Sequence, residues 1–157
     1  MKKKLLIIGL LIAGFISFSF MKEERPVTEI EYKVITSIES IVSSGLGRSR
    51  LISSNANVDY EEFTSEQTED NNSRNKSKRK DIRVKDFEET KLLNFYNIGG
   101  IRFQNIVSND ALVSSKLTNM AKEGWELMFI NSAVESDSGK DDGQGIFVTR
   151  YTFKRVK

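Results

Sequence analysis

The residues of this chain that could do chemistry are carboxylates, and they fall in two groups. Glu123 and Glu126 stand on either side of Trp125, the single tryptophan of the chain. Glycosidase-type acid–base chemistry needs two carboxyl groups about 5–10 Å apart across a cleft. This pair instead flanks what reads as the end of a helix, so both are expected to face solvent. Glu126 is expected in a surface ion pair with Lys154 or Arg150. The second group is Asp137, Asp141 and Asp142, interleaved with Gly139, Gly143 and Gly145. Calcium takes six to eight oxygens from a set loop. The spacing here does not fit an EF-hand, no bidentate Glu follows, and Lys140 interrupts the run. A polar turn is the plainer reading. Calcium-assisted or carboxylate-based hydrolysis is the alternative it leaves open.

A third chemistry-bearing stretch is basic. Residues 74–85 carry Arg74, Lys76, Lys78, Arg79, Lys80, Arg83 and Lys85 against the one acid Asp81. Such a run suits an anionic polymer or a lipid headgroup. It has no aromatic residue on which a base could stack, and no nucleic-acid partner is expected. Residues 59–70 beside it carry only acids, which makes a self-neutralising, solvated linker the simpler expectation. The glycines of "GLGRSR" (45–50) and "IGG" (98–100) are too few to cradle a phosphate, and no dinucleotide fingerprint is present.

What is missing narrows the field further. The chain has no histidine and no cysteine. That excludes Cys/His zinc sites, Ser-His-Asp triads, cysteine nucleophiles and histidine acid–base catalysis. It also excludes disulfides, so an apolar core must hold the fold. We read the chain as a non-enzyme without cofactor or metal, with no catalytic, cofactor-binding or metal-ligating residues assigned.

The N-terminus has the layout of a secretory signal: Lys2–Lys4, then an apolar run from Leu5 to Phe20. The run is short for a membrane span, which needs about 20 residues. Ser17 and Ser19 place cleavage after Ser19, giving a signal at 1–19 and one domain at 20–157. Without an A-x-A site, an uncleaved anchor through residues 5–20 in the inner membrane stays open. Losing residues 1–19 removes three lysines, so 21 bases face 22 acids and the net charge becomes −1. The predicted location is the periplasm or outside the cell, with an unidentified protein or envelope component as partner.

The elements that must position these residues are legible from periodicity. Thr28–Ile38 alternates, with Ile30, Tyr32, Val34 and Ile38 on one side and Glu31, Lys33 and Ser37 on the other, as a half-buried strand does. Arg50–Ser53 and Val58–Thr64 suggest short strands. Residues 65–81 contain no apolar side chain, so a disordered polar insertion is expected at about 65–85. Gly99-Gly100 between apolar runs predicts a hairpin. Residues 108–124 read as a helix capped by Ser108 or Asn109. Val113, Leu117, Met120 and Ala121 form its apolar face, and Gly124 ends it. Trp125–Ala133 reads as a strand with Trp125, Leu127 and Phe129 on one face. Trp125 would then cover the joint of helix and sheet. Ile146–Val156 reads as the last strand, with Phe147, Tyr151 and Phe153 on one face. The sum is an α+β domain: a mostly antiparallel sheet with one amphipathic helix packed on one face.

"EYKVI" (31–35), "EGWEL" (123–127) and "YTFKR" (151–155) together resemble a small bacterial family, domain of unknown function 4177. The resemblance spans roughly residues 29–38 and 110–157. It implies a strand–helix–strand–strand core and carries over no site. Where that family has a short connection, residues 39–108 form a long insertion here. Together these readings predict an exported bacterial binding or structural module of the periplasm or cell envelope.

Overall fold

The computed structural model describes residues 28–41, 48–135 and 145–157. The N-terminal run, Gly45 and Gly47, and the Asp137, Asp141 and Asp142 loop lie outside these residues. Five strands form one antiparallel sheet: β1 (Ile30–Ser40), β2 (Arg50–Ser54), β3 (Phe87–Lys91), β6 (Glu126–Glu135) and β7 (Ile146–Val156), in the order β3-β2-β1-β7-β6. A two-stranded hairpin, β4 (Tyr96–Asn97) and β5 (Gly100–Ile101), stands beside it. One short helix, α1 (Arg79–Ile82), lies in the insertion, and one long helix, α2 (Phe103–Lys122), follows the hairpin. The fold is therefore α+β with a mostly antiparallel sheet, as predicted. Among the described residues no helix is long and apolar enough to cross a membrane.

The core lies between α2 and one face of the sheet. Ile35, Leu51, Leu92, Met120, Trp125 and Phe153 are buried together, with Val113, Leu117 and Tyr151 packed against them. This covered face corrects the reading of β1. Ile35 is 1 % exposed and Ser37 is fully buried, whereas Tyr32 is 66 % and Val34 45 % exposed. The more apolar side of the strand is thus the open one. The reason lies outside the strand. Ile35 stands opposite Tyr151, and Ser37 between Leu51 and Thr149, on the face that α2 covers. The small side chains Ser37, Ser53 and Thr149 leave room there for a helix to approach.

α2 begins at Phe103, earlier than predicted, with Arg102 as its first boundary residue. The helix starts five residues before Ser108, and Ile106, Asn109, Val113, Leu117 and Met120 recur at three- and four-residue spacing along it. Asn109 is consequently an interior residue and fully enclosed, not a cap. Ser115, Thr118, Asn119 and Lys122 are exposed, as predicted, but so is Ala121.

The far end of α2 closes as expected. Gly124 has φ +84°, a conformation that side-chain-bearing residues avoid. Its N–H donates to the Ala121 carbonyl (3.1 Å), and Trp125 N–H donates to the Met120 carbonyl (3.0 Å). These two bonds form a Schellman closure, with Trp125 and Met120 meeting in the core as its apolar contact.

β6 departs from simple alternation. Its register with β7 shifts between Leu127 and Phe129, so Leu127 opposes Phe153 on the covered face while Phe129 opposes Thr152 on the open face. The expected common face of Trp125, Leu127 and Phe129 is split by this bulge at Met128. Two smaller expectations also change. Val58–Thr64 holds a 3₁₀ turn at Tyr60–Phe63 in place of a strand. The Gly-Gly hairpin exists but is only two residues a side, with Ile98-Gly99 at its turn and Gly100 at φ +105°.

The polar insertion is exposed throughout residues 66–83. It folds back on itself through local hydrogen bonds. Asn75 Nδ2 donates to the Glu62 and Thr64 carbonyls (2.8 and 3.2 Å), and the Asn75 N–H bonds Ser65 Oγ. A lone bridge joins Gln67 and Asn72.

Candidate functional site

The carboxylates singled out by spacing do not converge. Glu123 accepts a hydrogen bond from Asn119 Nδ2 (2.6 Å) at the end of α2, and Glu126 pairs with Lys154 Nζ (3.2 Å) on the sheet. The ion pair was anticipated, and both carboxylates are exposed with different partners. Among the described residues no group of three acids could hold a metal ion. Asp137, Asp141 and Asp142 lie outside them.

A cluster that sequence spacing could not reveal sits at one end of the covered face. Asn109 Nδ2 donates to Glu39 Oε1 (2.7 Å) and to the Leu93 carbonyl (2.8 Å), and Asn109 Oδ1 accepts from the Leu93 N–H (2.8 Å). Ser49 Oγ donates to Asn94 Oδ1 (2.7 Å), and Asn105 Nδ2 donates to the Asn94 carbonyl (2.8 Å). These bonds satisfy backbone groups of Leu93 and Asn94, while the Leu92 and Phe95 N–H groups donate to the Ser49 and Ser40 carbonyls (3.1 Å each). Burial pushes the Glu39 carboxyl up, more than the Asn109 hydrogen bond lowers it, and nearby Asp110 adds to the rise. Burial also pushes the Tyr151 phenol up. The amide clamp holds a chain segment in place.

Two other features are open to solvent. The first is β6, the last strand of the sheet, whose ten residues are all exposed. Between Leu127 and Val134 it carries no charge and no proline. The second is the open face of the sheet. It carries Phe87 opposite Ser54 on β3 and β2, and Val34, Thr152 and Phe129 facing one another across β1, β7 and β6. Phe87 and Phe129, at its two ends, are 50 % and 52 % exposed. Val34, Ile52, Val84 and Phe87, with Thr36, Ser53 and Ser54, line an apolar groove of about 340 Å³ on this face.

Five surface cations outside the insertion are held in ion pairs. Arg50 pairs with Glu89, Lys116 with Glu88, Lys154 with Glu126, Arg155 with Glu31 and Lys157 with Glu29. The bases of residues 74–85 belong to none of the ion pairs among the described residues. No protein-family model, curated protein or solved structure matches the chain.

Proposed function

We propose that this protein is a non-enzymatic binding module of the bacterial cell envelope, which recognises an extended segment of a partner by adding it as a further strand beside β6. The observation that carries this reading is the undefended edge. Natural sheets blunt their edges with lysines, prolines, inward charges or covering loops, because free N–H and C=O groups recruit other chains. β6 leaves a stretch of eight uncharged residues, Leu127–Val134, exposed at the edge. The bulge at Met128 bends one end of it and leaves Phe129–Glu135 in regular pairing with β7. A docked strand would gain backbone hydrogen bonds from the edge. Its side chains would meet Ile130 and Val134 on one face and Phe129 and Ala133 on the other.

The absence of histidine and cysteine and the separation of Glu123 from Glu126 favour binding over chemistry. The signal-like N-terminus and the resemblance to domain of unknown function 4177 favour an exported, envelope setting. The test is retention of envelope components on the full chain and on a variant carrying Ile130→Lys and Val134→Lys. Both positions are exposed, so the variant should keep its melting temperature. It should lose whatever the unaltered chain retains. An unchanged set of retained components would refute strand addition at β6.

A further inference from the structure

We infer that the open face of the sheet, together with residues 79–87, is a docking surface for an anionic lipid bilayer. Its groove and basic segment are separate from the edge at β6, since β3 and β6 lie at opposite sides of the sheet. Two observations meet there. One is apolar: Val34, Ile52, Val84 and Phe87 line an uncovered groove, and exposed Tyr32 and Ile30 continue it along β1. The other is charge. Val84, inside the groove, stands in sequence between Arg83 and Lys85, and Arg79 and Lys80 lie one turn earlier. None of these four bases is in an ion pair among the described residues.

The rest of the face is consistent with the same occupant. On the strands its charged residues are Arg50, Lys91, Arg150 and Lys154 against Glu89, Glu126 and Glu135. Glu89 and Glu126 are already neutralised by Arg50 and Lys154. With the segment 79–85 added, the surface has an excess of cations around an apolar centre. Apolar side chains that can enter the headgroup boundary, flanked by unpaired Lys and Arg, are what binding to an anionic interface requires. The same excess disfavours a second copy of this face, because Arg83, Lys85 and Arg150 would meet their own kind.

The chain has no cysteine, so single labels can be placed. A polarity-sensitive dye at Ser54→Cys reports on the groove, and one at Ser115→Cys on the exposed back of α2. The full chain is mixed with phosphatidylcholine vesicles, with and without phosphatidylglycerol. The Ser54 label should shift to the blue only with phosphatidylglycerol, and the Ser115 label should not respond. Replacing Arg83→Glu and Lys85→Glu should weaken the response by roughly thirtyfold or more, with Trp125 fluorescence unchanged as the check on folding. Phe87→Ser should weaken it without altering charge. An equal shift on neutral vesicles, a response at Ser115 alone, or no shift with either vesicle would overturn the inference. A Ser54 shift with protein alone at rising concentration would overturn it in favour of self-association. Lysines at Ile130 and Val134 should leave the vesicle response intact, so this surface and the β6 edge can fail independently.

Discussion

The guanidinium of Arg155 lies over the ring of Trp125, 4.4 Å from its centroid. Arg155 Nε also donates to Glu31 Oε1 (2.6 Å), and Arg155 Nη1 to the Glu123 carbonyl at the end of α2 (3.1 Å). One side chain from β7 thus ties together the first strand, the helix terminus and the tryptophan that follows it. Trp125→Ala should cost about 3–5 kcal/mol, since it removes a large buried aromatic. A double-mutant cycle with Trp125→Leu and Arg155→Ala should give a coupling of about 0.5–1 kcal/mol, the range for a partly exposed cation on an aromatic face. Urea unfolding measures both. A coupling of zero would mean that Arg155 acts through Glu31 and the carbonyl alone.

Gly124 isolates a backbone effect from a packing effect. A Cβ there would meet only Arg155 Cδ at 3.6 Å, an ordinary contact. Its φ of +84° is the obstacle. Gly124→Ala should therefore destabilise by about 1–2 kcal/mol, the cost of a left-handed residue with a side chain. Gly124→Asn should cost less, because Asn tolerates that region better. Similar losses for the two variants in thermal unfolding would point to a clash instead.

Asn109 is the residue to alter if the clamp on Leu93 matters. Asn109→Leu fills similar space but leaves the Leu93 N–H and carbonyl without their partners. Unpaired buried groups cost about 1–3 kcal/mol each, so a loss of about 2–4 kcal/mol is expected. Hydrogen exchange at the Leu93 amide should accelerate more than exchange in β1 and β7. Uniform acceleration would show that the variant merely lowers global stability.

Where local pattern decides structure, the sequence was readable. The alternation of Phe147, Tyr151 and Phe153, the helical stripe through Met120, and the stop at Gly124 are signals of neighbouring residues. The β6 edge was not readable, because a strand's place in the sheet order depends on pairings that span the chain. The open face of β1 misled for a related reason. Ile30, Tyr32 and Val34 look like a core face until α2 is placed over the other side. The bulge at Met128 leaves no composition signal. Glu39 and Asn109, seventy positions apart, meet only once the helix has docked. Among the candidate-site features, the basic run was legible as charge, but its position beside an apolar groove was not.

Glu39 gives the fold a pH dependence of defined sign. Burial raises its carboxyl above the ordinary value of 4.5, despite the hydrogen bond from Asn109. The folded state therefore holds this proton to higher pH than the unfolded state. Stability from this group is full below 4.5 and is lost as pH rises through the raised value. Glu88 acts oppositely. The hydrogen bond and charge of Lys116 lower its carboxyl, so its contribution is present above 4.5 and fades on acidification. Glu88 is largely exposed, and solvent screening keeps its contribution small. Glu39→Gln keeps an oxygen to accept from Asn109 and removes the titration. Compared by urea unfolding from acid to neutral pH, the variant should gain stability over the original chain as pH rises above 4.5. A difference that stays constant with pH would show that Glu39 does not titrate differently in the folded and unfolded states.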